Sequence, residues 1–456
     1  MRITDAARLR CLAGMLLAWA LVIATADAAD EWKYDVLRLK NGNILRGLVL
    51  EEGGDAVRFQ CVRRSPGTPT VVITSTYPRS EVAAVIKLNA ADRKVLQERI
   101  AKLDPSGKAE EAQMEDLELS EVDWVRKEAG SAYRYGSEYF VLVSNAQEDT
   151  VRRAAVRLEQ IYTAYTRYLP PRHKKATPTT IVLASTRAEY QLLLKEQKRN
   201  ILNPAFFDAR NNQVVCASDL KELGEQLERV RKKHKALLED LQKQELQART
   251  KYQGAVLATV LQRIYEARRT ILGYNKKNDQ LFGEATQELF TTLYHESFHA
   301  YLMNIVYRSD EAEVPRWQNE GLAQIFETAI VEAGELRVGH VDKERLARVH
   351  EAARKGELLT IAQLLQSKPQ DFLVAQTSEQ QTSDRYYFNS WALAFYLTFD
   401  RKVLGTPELH KYMAARKRGT NELEAFRQLV GKPIPEFEQD YRKFLQTLRA
   451  DGTAKN

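Results

Sequence analysis

From Leu220 to Val314 the sequence runs without a proline. Proline removes a backbone donor and clashes with the preceding turn, so its absence over such a length leaves room for long uninterrupted helices. Leu220, Leu223, Leu227, Val230, His234, Leu237 and Leu241 fall there at alternating steps of three and four. That is the spacing of a heptad seam, with His234 in one core slot as a tolerated polar residue and not a ligand. The pattern breaks after Leu241, and a second helical run starts near Gln253. The simpler expectation is a helical hairpin inserted into a domain over about residues 217–272; the competing one is a coiled coil through which the chain forms a homodimer.

With 456 residues the chain exceeds what one hydrophobic core usually organises, which points to two or three domains. Its first thirty residues read as an export signal: Arg2, Arg8 and Arg10, an apolar run from Leu12 to Ala24, and Ala26-Asp27-Ala28 as the cleavage pattern. The apolar run is shorter than the ~18 to 20 residues that span a bilayer. Removal of residues 1–28 is therefore expected, leaving an exported protein, periplasmic or extracellular, without a stable membrane span. Only Cys61 and Cys216 then remain, too few for a disulfide framework and expected to behave as small buried hydrophobes. The net charge is +7, but basic runs such as "RVRKKHK" and "ARKRG" lie among nearly as many acidic residues. That balance argues against a nucleic-acid partner and for a solvated, mildly basic surface.

Residues 32–90 alternate apolar and polar positions. "DVLRLKNGNILRGLVLEE" turns at Asn41-Gly42, and "AVRFQCV", "TPTVVITST" and "SEVAAVIKL" follow. These predict a small, strongly bent sheet or β-barrel-like module, without evident chemistry, acting as a binding or spacer unit or in a purely structural role. Residues 91–119 turn polar, with Pro105-Ser106-Gly107 at their middle, as in a linker with a helical piece. From residue 120 to 450 strands and helices mix: "EYFVLVSNAQEDTVRRAAVRLEQIYTAYTRYL" reads as a strand and an amphipathic helix, "TTIVLAST" as a strand, and "AFFDARNNQVVCAS" as a turn at Asn211-Asn212 leading into another. The fold class is α+β.

Two of the seven histidines stand four residues apart in "TTLYHESFHAYL". Phe282–Tyr307 has helical composition, so His295 and His299 project from one face, one turn apart, with Glu296 about 100° round the helix. Two nitrogen ligands and an adjacent general base need that placement. H-E-x-x-H also arises by chance in roughly one such chain per hundred, so the pattern needs a third ligand. Glu320, in "VPRWQNEGLAQIFE", sits among Trp317, Leu322, Ala323, Ile325 and Phe326. A carboxylate buried there is costly unless a charge compensates it, and a zinc ion would do so.

His295-Glu296-x-x-His299 followed by Asn319-Glu320-Gly321-Leu322-Ala323 resembles the gluzincin zinc metallopeptidases, most closely the peptidase-MA-like group that includes exported bacterial proteins carrying a domain of unknown function. A strand carrying "NQVV" before the helix and a later "YFNSWALAFYL" occur in the family's order, and the likeness covers roughly residues 120–450 apart from the helical insertion. The resemblance implies His295, His299 and Glu320 as zinc ligands, Glu296 as catalytic base, and a peptide or protein substrate laid against an edge strand near Gln213–Ala217. It also implies an oxyanion donor in "RYYFNSWALAFYL", where Tyr387 pairs with Ser390 by the family's spacing and Tyr386 points elsewhere. In several gluzincins an acidic residue one turn after the glutamate ligand supports a ligand histidine; here that position is Gln324, which brings no charge and implies lower ligand basicity. A zinc-bound but idle scaffold and a zinc hydrolase of a non-peptide bond are the alternatives. His173, His340, His350 and His410 are expected to be solvated surface residues.

Overall fold

The structure is a computed structural model and describes residues 32–64, 70–103, 108–126, 130–173, 176–332, 335–338, 341–372, 377–450 and 452–454. The export signal expected over residues 1–28 and His340 lie outside the described residues. No described helix is long and apolar enough to cross a membrane.

The chain divides into two compact units, one reaching to Lys102 without Arg64–Val71, the other comprising that segment and Leu103–Asn456. The first holds β1 (Asp35–Leu39), β2 (Ile44–Glu52), β3 (Ala56–Arg63), β4 (Val71–Pro78), β5 (Val82–Ile86) and α1 (Ala90–Lys102). Its strands form one sheet of order β4-β3-β2-β1-β5, with Leu37, Val49, Val57 and Phe59 in its core. The carboxylate of Asp35, fully buried, accepts from the N–H groups of Val49 and Leu88, both at 2.8 Å, and from Arg93 of α1 at 2.6 Å. The sheet is open: β4 and β5 are its two edges, and the expected barrel is not closed among the described residues. The helical piece expected after residue 90 is α1, and it belongs to this unit.

The second unit starts with α2 (Lys108–Glu115), whose Glu110 pairs with Arg157 at 2.6 Å. There follow β6 (Ser120–Asp123), β7 (Ser131–Gly136), β8 (Phe140–Ser144), α3 (Glu148–Tyr168), β9 (Thr179–Ala184), α4 (Arg187–Glu196), β10 (Ala205–Asp208) and β11 (Gln213–Ala217). They build a six-stranded mixed sheet of order β10-β11-β9-β8-β7-β6, parallel at β8-β9 and β9-β11 and antiparallel elsewhere. Alternate residues of β9 serve opposite cores, Ile181 and Leu183 on the side of α3, Val182 on the side of α4. Such a sheet, covered on both faces, needs apolar residues nearly throughout. The strand at Gln213–Ala217 is therefore interior, and the edge is β10.

Two long helices follow, α5 (Leu220–Lys251) and α6 (Gly254–Tyr301), joined at Gly254, whose φ of 56° suits a residue without Cβ. They pack on each other as the expected hairpin, so the α5 seam is covered within the chain. The hairpin does not end near residue 272, however: its second arm is a single helix of 48 residues that runs on through His295 and His299. The seam also shifts, because Leu237 is 51% exposed and Leu238 turns inward in its place. His234 keeps its slot, with Nδ1 at 2.6 Å from Oδ1 of Asn275.

After a π-helical turn at Leu302–Val306 come α7 (Arg316–Glu327), the short β12 (Ile330–Glu332) and β13 (Glu335–Arg337), then α8 (Lys343–Lys355), α9 (Ile361–Leu365), α10 (Thr377–Phe395), α11 (Pro407–Lys417), α12 (Glu422–Val430) and α13 (Ile434–Thr447). The remaining histidines are not solvated as expected. His173, His350 and His410 are each half-buried: His173 faces Glu311 at 3.4 Å, His350 the carbonyl of Leu445 at 2.9 Å and His410 the hydroxyl of Tyr307 at 2.8 Å. Among the described residues the two cysteines are free; Cys216 is buried and Cys61 half-buried.

Candidate metal centre

The last turns of α6 are pinned from behind. Tyr165 of α3 donates its hydroxyl to the carbonyl of Tyr294 at 2.6 Å, and Phe298 stacks on Phe326 of α7 with ring centroids 4.7 Å apart. On the other side of α7, a Cβ on Gly321 would lie 2.4 Å from the carbonyl oxygen of Ser390 and 2.8 Å from Cβ of Ala394. The glycine thus lets α7 lie directly on α10. Held between α6 and α10, α7 is buried from Trp317 to Glu327, and Glu320 is only 2% exposed.

These contacts bring together the three residues singled out by their pattern. The ligating atoms of His295, His299 and Glu320 all lie within 4.8 Å of one another, a group that could hold a metal ion. Nε2 of His295 is 3.5 Å from Oε2 of Glu320, and Nε2 of His299 is 3.8 Å from Oε1. The two imidazoles are perpendicular, with centroids 4.7 Å apart. Each ring is fixed through its other nitrogen: Nδ1 of His295 meets the carboxylate of Glu327, and Nδ1 of His299 lies 2.9 Å from Oδ1 of Asn319. Both Nε2 atoms are therefore left facing Glu320. Two imidazole nitrogens and one carboxylate, with their orienting partners in place, are a donor set that could hold a metal ion.

Burial and neighbouring charges oppose each other throughout this group. Burial opposes the ionised form of Glu320, but His299, His295 and Arg316 outweigh it and hold its pKa at about 2. Burial likewise opposes the charge on Glu327, yet His295 and Arg345 hold it at about 2. Burial disfavours a proton on His295, but Glu320 and Glu327 draw one there and raise its pKa well above the ordinary range. Burial prevails at His299, whose pKa is lowered. Positive charge is favoured where the three candidate ligands converge.

Glu296 is half-buried and opens into a cleft of about 370 Å³ together with His295, Gln324, Arg345, Tyr387 and Ala205. Ala205 begins β10. The carbonyl of Pro204 accepts from the N–H of Ala217, so by antiparallel alternation the main-chain groups of Ala205 and Phe207 point away from β11, toward the free edge. Tyr387 lines the cleft and Tyr386 does not. The Tyr387 hydroxyl is 3.5 Å from the carbonyl of Phe372, and its ring stands edge-on to Phe372 at 5.3 Å.

Gln324 supports no histidine. Its amide donates to the carbonyls of Glu320 at 3.2 Å and Tyr387 at 3.1 Å, and the acidic partner of His295 is Glu327 instead. Sequence reasoning missed Glu327, Asn319, Arg316 and Arg345. Glu327 could have been found: it stands two turns after Glu320, on the same face of α7. Arg316, one turn before Glu320, places a guanidinium nitrogen 2.8 Å from its Oε1. Arg345, which pairs with Glu327 from α8, carries no local signal.

Comparison with known proteins adds one finding. A family model described as a protein of unknown function, DUF1570, matches residues 289–415, which take in the end of α6, all of α7 to α10 and most of α11. No curated protein and no solved structure matches the chain.

Proposed function

We propose that this protein is a zinc-dependent metallopeptidase. The observation that carries the reading is the convergence of His295, His299 and Glu320 beside a cleft that also holds Glu296 and the free main-chain edge of β10. Zinc bound by the three residues would polarise a peptide carbonyl and bring the pKa of water down to about 7. An extended peptide would pair with Ala205 and Phe207 by strand addition, in place of the interior strand Gln213–Ala217. Glu296 takes the proton of the attacking water and passes it to the leaving amine. Tyr387 donates its hydroxyl to the oxygen on which negative charge develops.

The test is a peptide-library digest with the purified protein beside Glu296→Gln and His299→Ala, each assayed for zinc after mild dialysis. Cleavage by the wild type, zinc retention without cleavage by Glu296→Gln, and loss of both in His299→Ala are expected. Zinc binding without cleavage by the wild type would make the chain an idle scaffold, and undiminished zinc in His299→Ala would overturn the ligand assignment. Hydrolysis of a non-peptide bond alone would keep the site and change the substrate.

A further inference from the structure

The arms of the hairpin carry a concentration of charge that the candidate active site does not use. Within Arg229–Leu238 of α5 and Ala267–Asn278 of α6 there are nine lysines or arginines and no aspartate or glutamate. The two stretches lie side by side, as the contact between His234 and Asn275 shows. Elsewhere acidic and basic residues nearly balance, so the excess behind the chain's +7 is gathered here.

One side of the hairpin can be followed through this belt. Arg249 of α5 bonds the hydroxyl of Tyr265 of α6 at 2.9 Å, so both residues face that side. Each step of seven turns a helix face by only about 20°, so two steps keep a residue within about 40° of it. Lys235, two heptads before Arg249, and Leu272, one heptad after Tyr265, therefore share it. Arg269 and Lys276 flank Leu272 at steps of three and four. Leu272 is 53% exposed, and Lys235, Arg269 and Lys276 are exposed around it. An exposed aliphatic side chain with three exposed cations about it, and with Glu239 one turn after Lys235 and Glu266 one turn before Arg269 as the acidic residues beside them, makes a predominantly cationic surface of the kind that meets anionic headgroups at an interface.

We propose that this side of the hairpin docks on an anionic lipid surface, the cations meeting headgroup phosphates and Leu272 entering the boundary of the acyl region. Nucleic acid fits less well: single strands are held by several stacking aromatics along a groove, whereas a leucine stands at the centre of this face and its aromatic, Tyr265, is tied through its hydroxyl to Arg249 and Glu245. Because α6 is one continuous helix from the belt to His295, docking would hold the candidate active site at a set height, roughly 35 Å along the helix from Leu272. This inference does not depend on the peptidase reading.

The experiment is sedimentation of the full chain with vesicles of phosphatidylcholine alone and with about 30% phosphatidylglycerol, at low and high salt, beside a single-stranded oligonucleotide. Binding to the anionic vesicles only, weakened by salt, is expected. The exposed-surface variant Lys235→Gln/Arg269→Gln/Lys276→Gln should bind at least about tenfold more weakly. Leu272→Ser should weaken binding even at low salt, and circular dichroism and zinc content should match the wild type in both variants. Equal binding to both vesicle types, binding unaltered in the triple variant, or tighter binding to the oligonucleotide than to the anionic vesicles would each overturn the proposal.

Discussion

The carboxylate of Glu327 holds Nδ1 of His295, seven residues beyond the carboxylate that faces Nε2 of the same ring. One helix thus supplies both the third candidate ligand and the group that orients the first. A carboxylate on the far nitrogen raises the basicity of a ligating imidazole, and loss of such partners costs about 10- to 100-fold in metal affinity. Glu327→Gln keeps the shape and an acceptor but removes the charge. It should weaken zinc binding by that factor in a chelator competition, while activity at saturating zinc falls far less. Unchanged affinity would mean that Glu327 serves only to pair Arg345.

The second relation concerns packing. Alanine is a better helix former than glycine by about 1 kcal/mol, so on propensity alone Gly321→Ala should stabilise α7. The new Cβ would instead meet the Ser390 carbonyl at 2.4 Å, and backbone cannot yield as a flexible side chain can. Overpacking of this kind costs about 1 to 3 kcal/mol, which outweighs the gain in propensity. Gly321→Ala should lower Tm and, by moving α7, weaken zinc binding as well. A rise in Tm would show that α10 gives way freely.

Part of this site is legible in the amino-acid sequence alone, because helical spacing is a local property. His295, Glu296 and His299 declare one face of one helix, and Glu320 declares itself as a lone carboxylate among Trp317, Leu322 and Phe326. What the sequence does not disclose depends on tertiary packing. The choice of β10 over β11 as the edge follows from a four-residue strand folding back on the sheet, and hydrophobicity is much the same for both. Gln324 occupies the position from which a histidine would be supported by analogy, yet its amide is taken by two carbonyls while Glu327, one turn on, reaches the ring. The merging of the hairpin with the motif helix is readable only as an absence of breakers, which permits a long helix without requiring one. The seam shift at Leu237 shows the same limit: alternating steps of three and four fit the sequence there, but packing against α6 selects Leu238.

His410 gives a prediction about pH. Burial, assisted by the charge of Arg172, lowers its pKa below the ordinary histidine value of about 6.5. The unfolded chain then binds a proton that the folded chain refuses, so stability is full above about pH 6.5 and is lost as pH falls toward the depressed folded value. Thermal melts between about pH 7.5 and 5.5 should show this loss, and in His410→Gln the decline over that window should be shallower. Parallel curves would assign the acid sensitivity to other groups.

Tyr387 and Tyr386 adjoin on α10 and both pack on Phe372, with ring centroids 5.3 and 5.6 Å from it, yet they are not equivalent. Adjacent residues on a helix point about 100° apart, and only Tyr387 reaches the cleft shared by His295 and Glu296. Burial, with the nearby charge of Glu320, pushes the Tyr387 phenol up to about 12 against the opposing effect of Arg316. It therefore stays protonated, and a donor, throughout the neutral range. Its bond to the Phe372 carbonyl is long, at 3.5 Å, and the hydroxyl loses little by turning to a substrate oxygen. Removal of one such donor typically costs about 10² to 10³ in turnover with little change in binding. Tyr387→Phe should accordingly keep fold and zinc but lose most of kcat at nearly constant KM, while Tyr386→Phe should be mild. The reverse order would give the hydrogen bond to Tyr386. If neither variant slows the enzyme, Arg316, whose guanidinium lies 2.8 Å from Glu320, becomes the next candidate, to be tested as Arg316→Gln in the same assay.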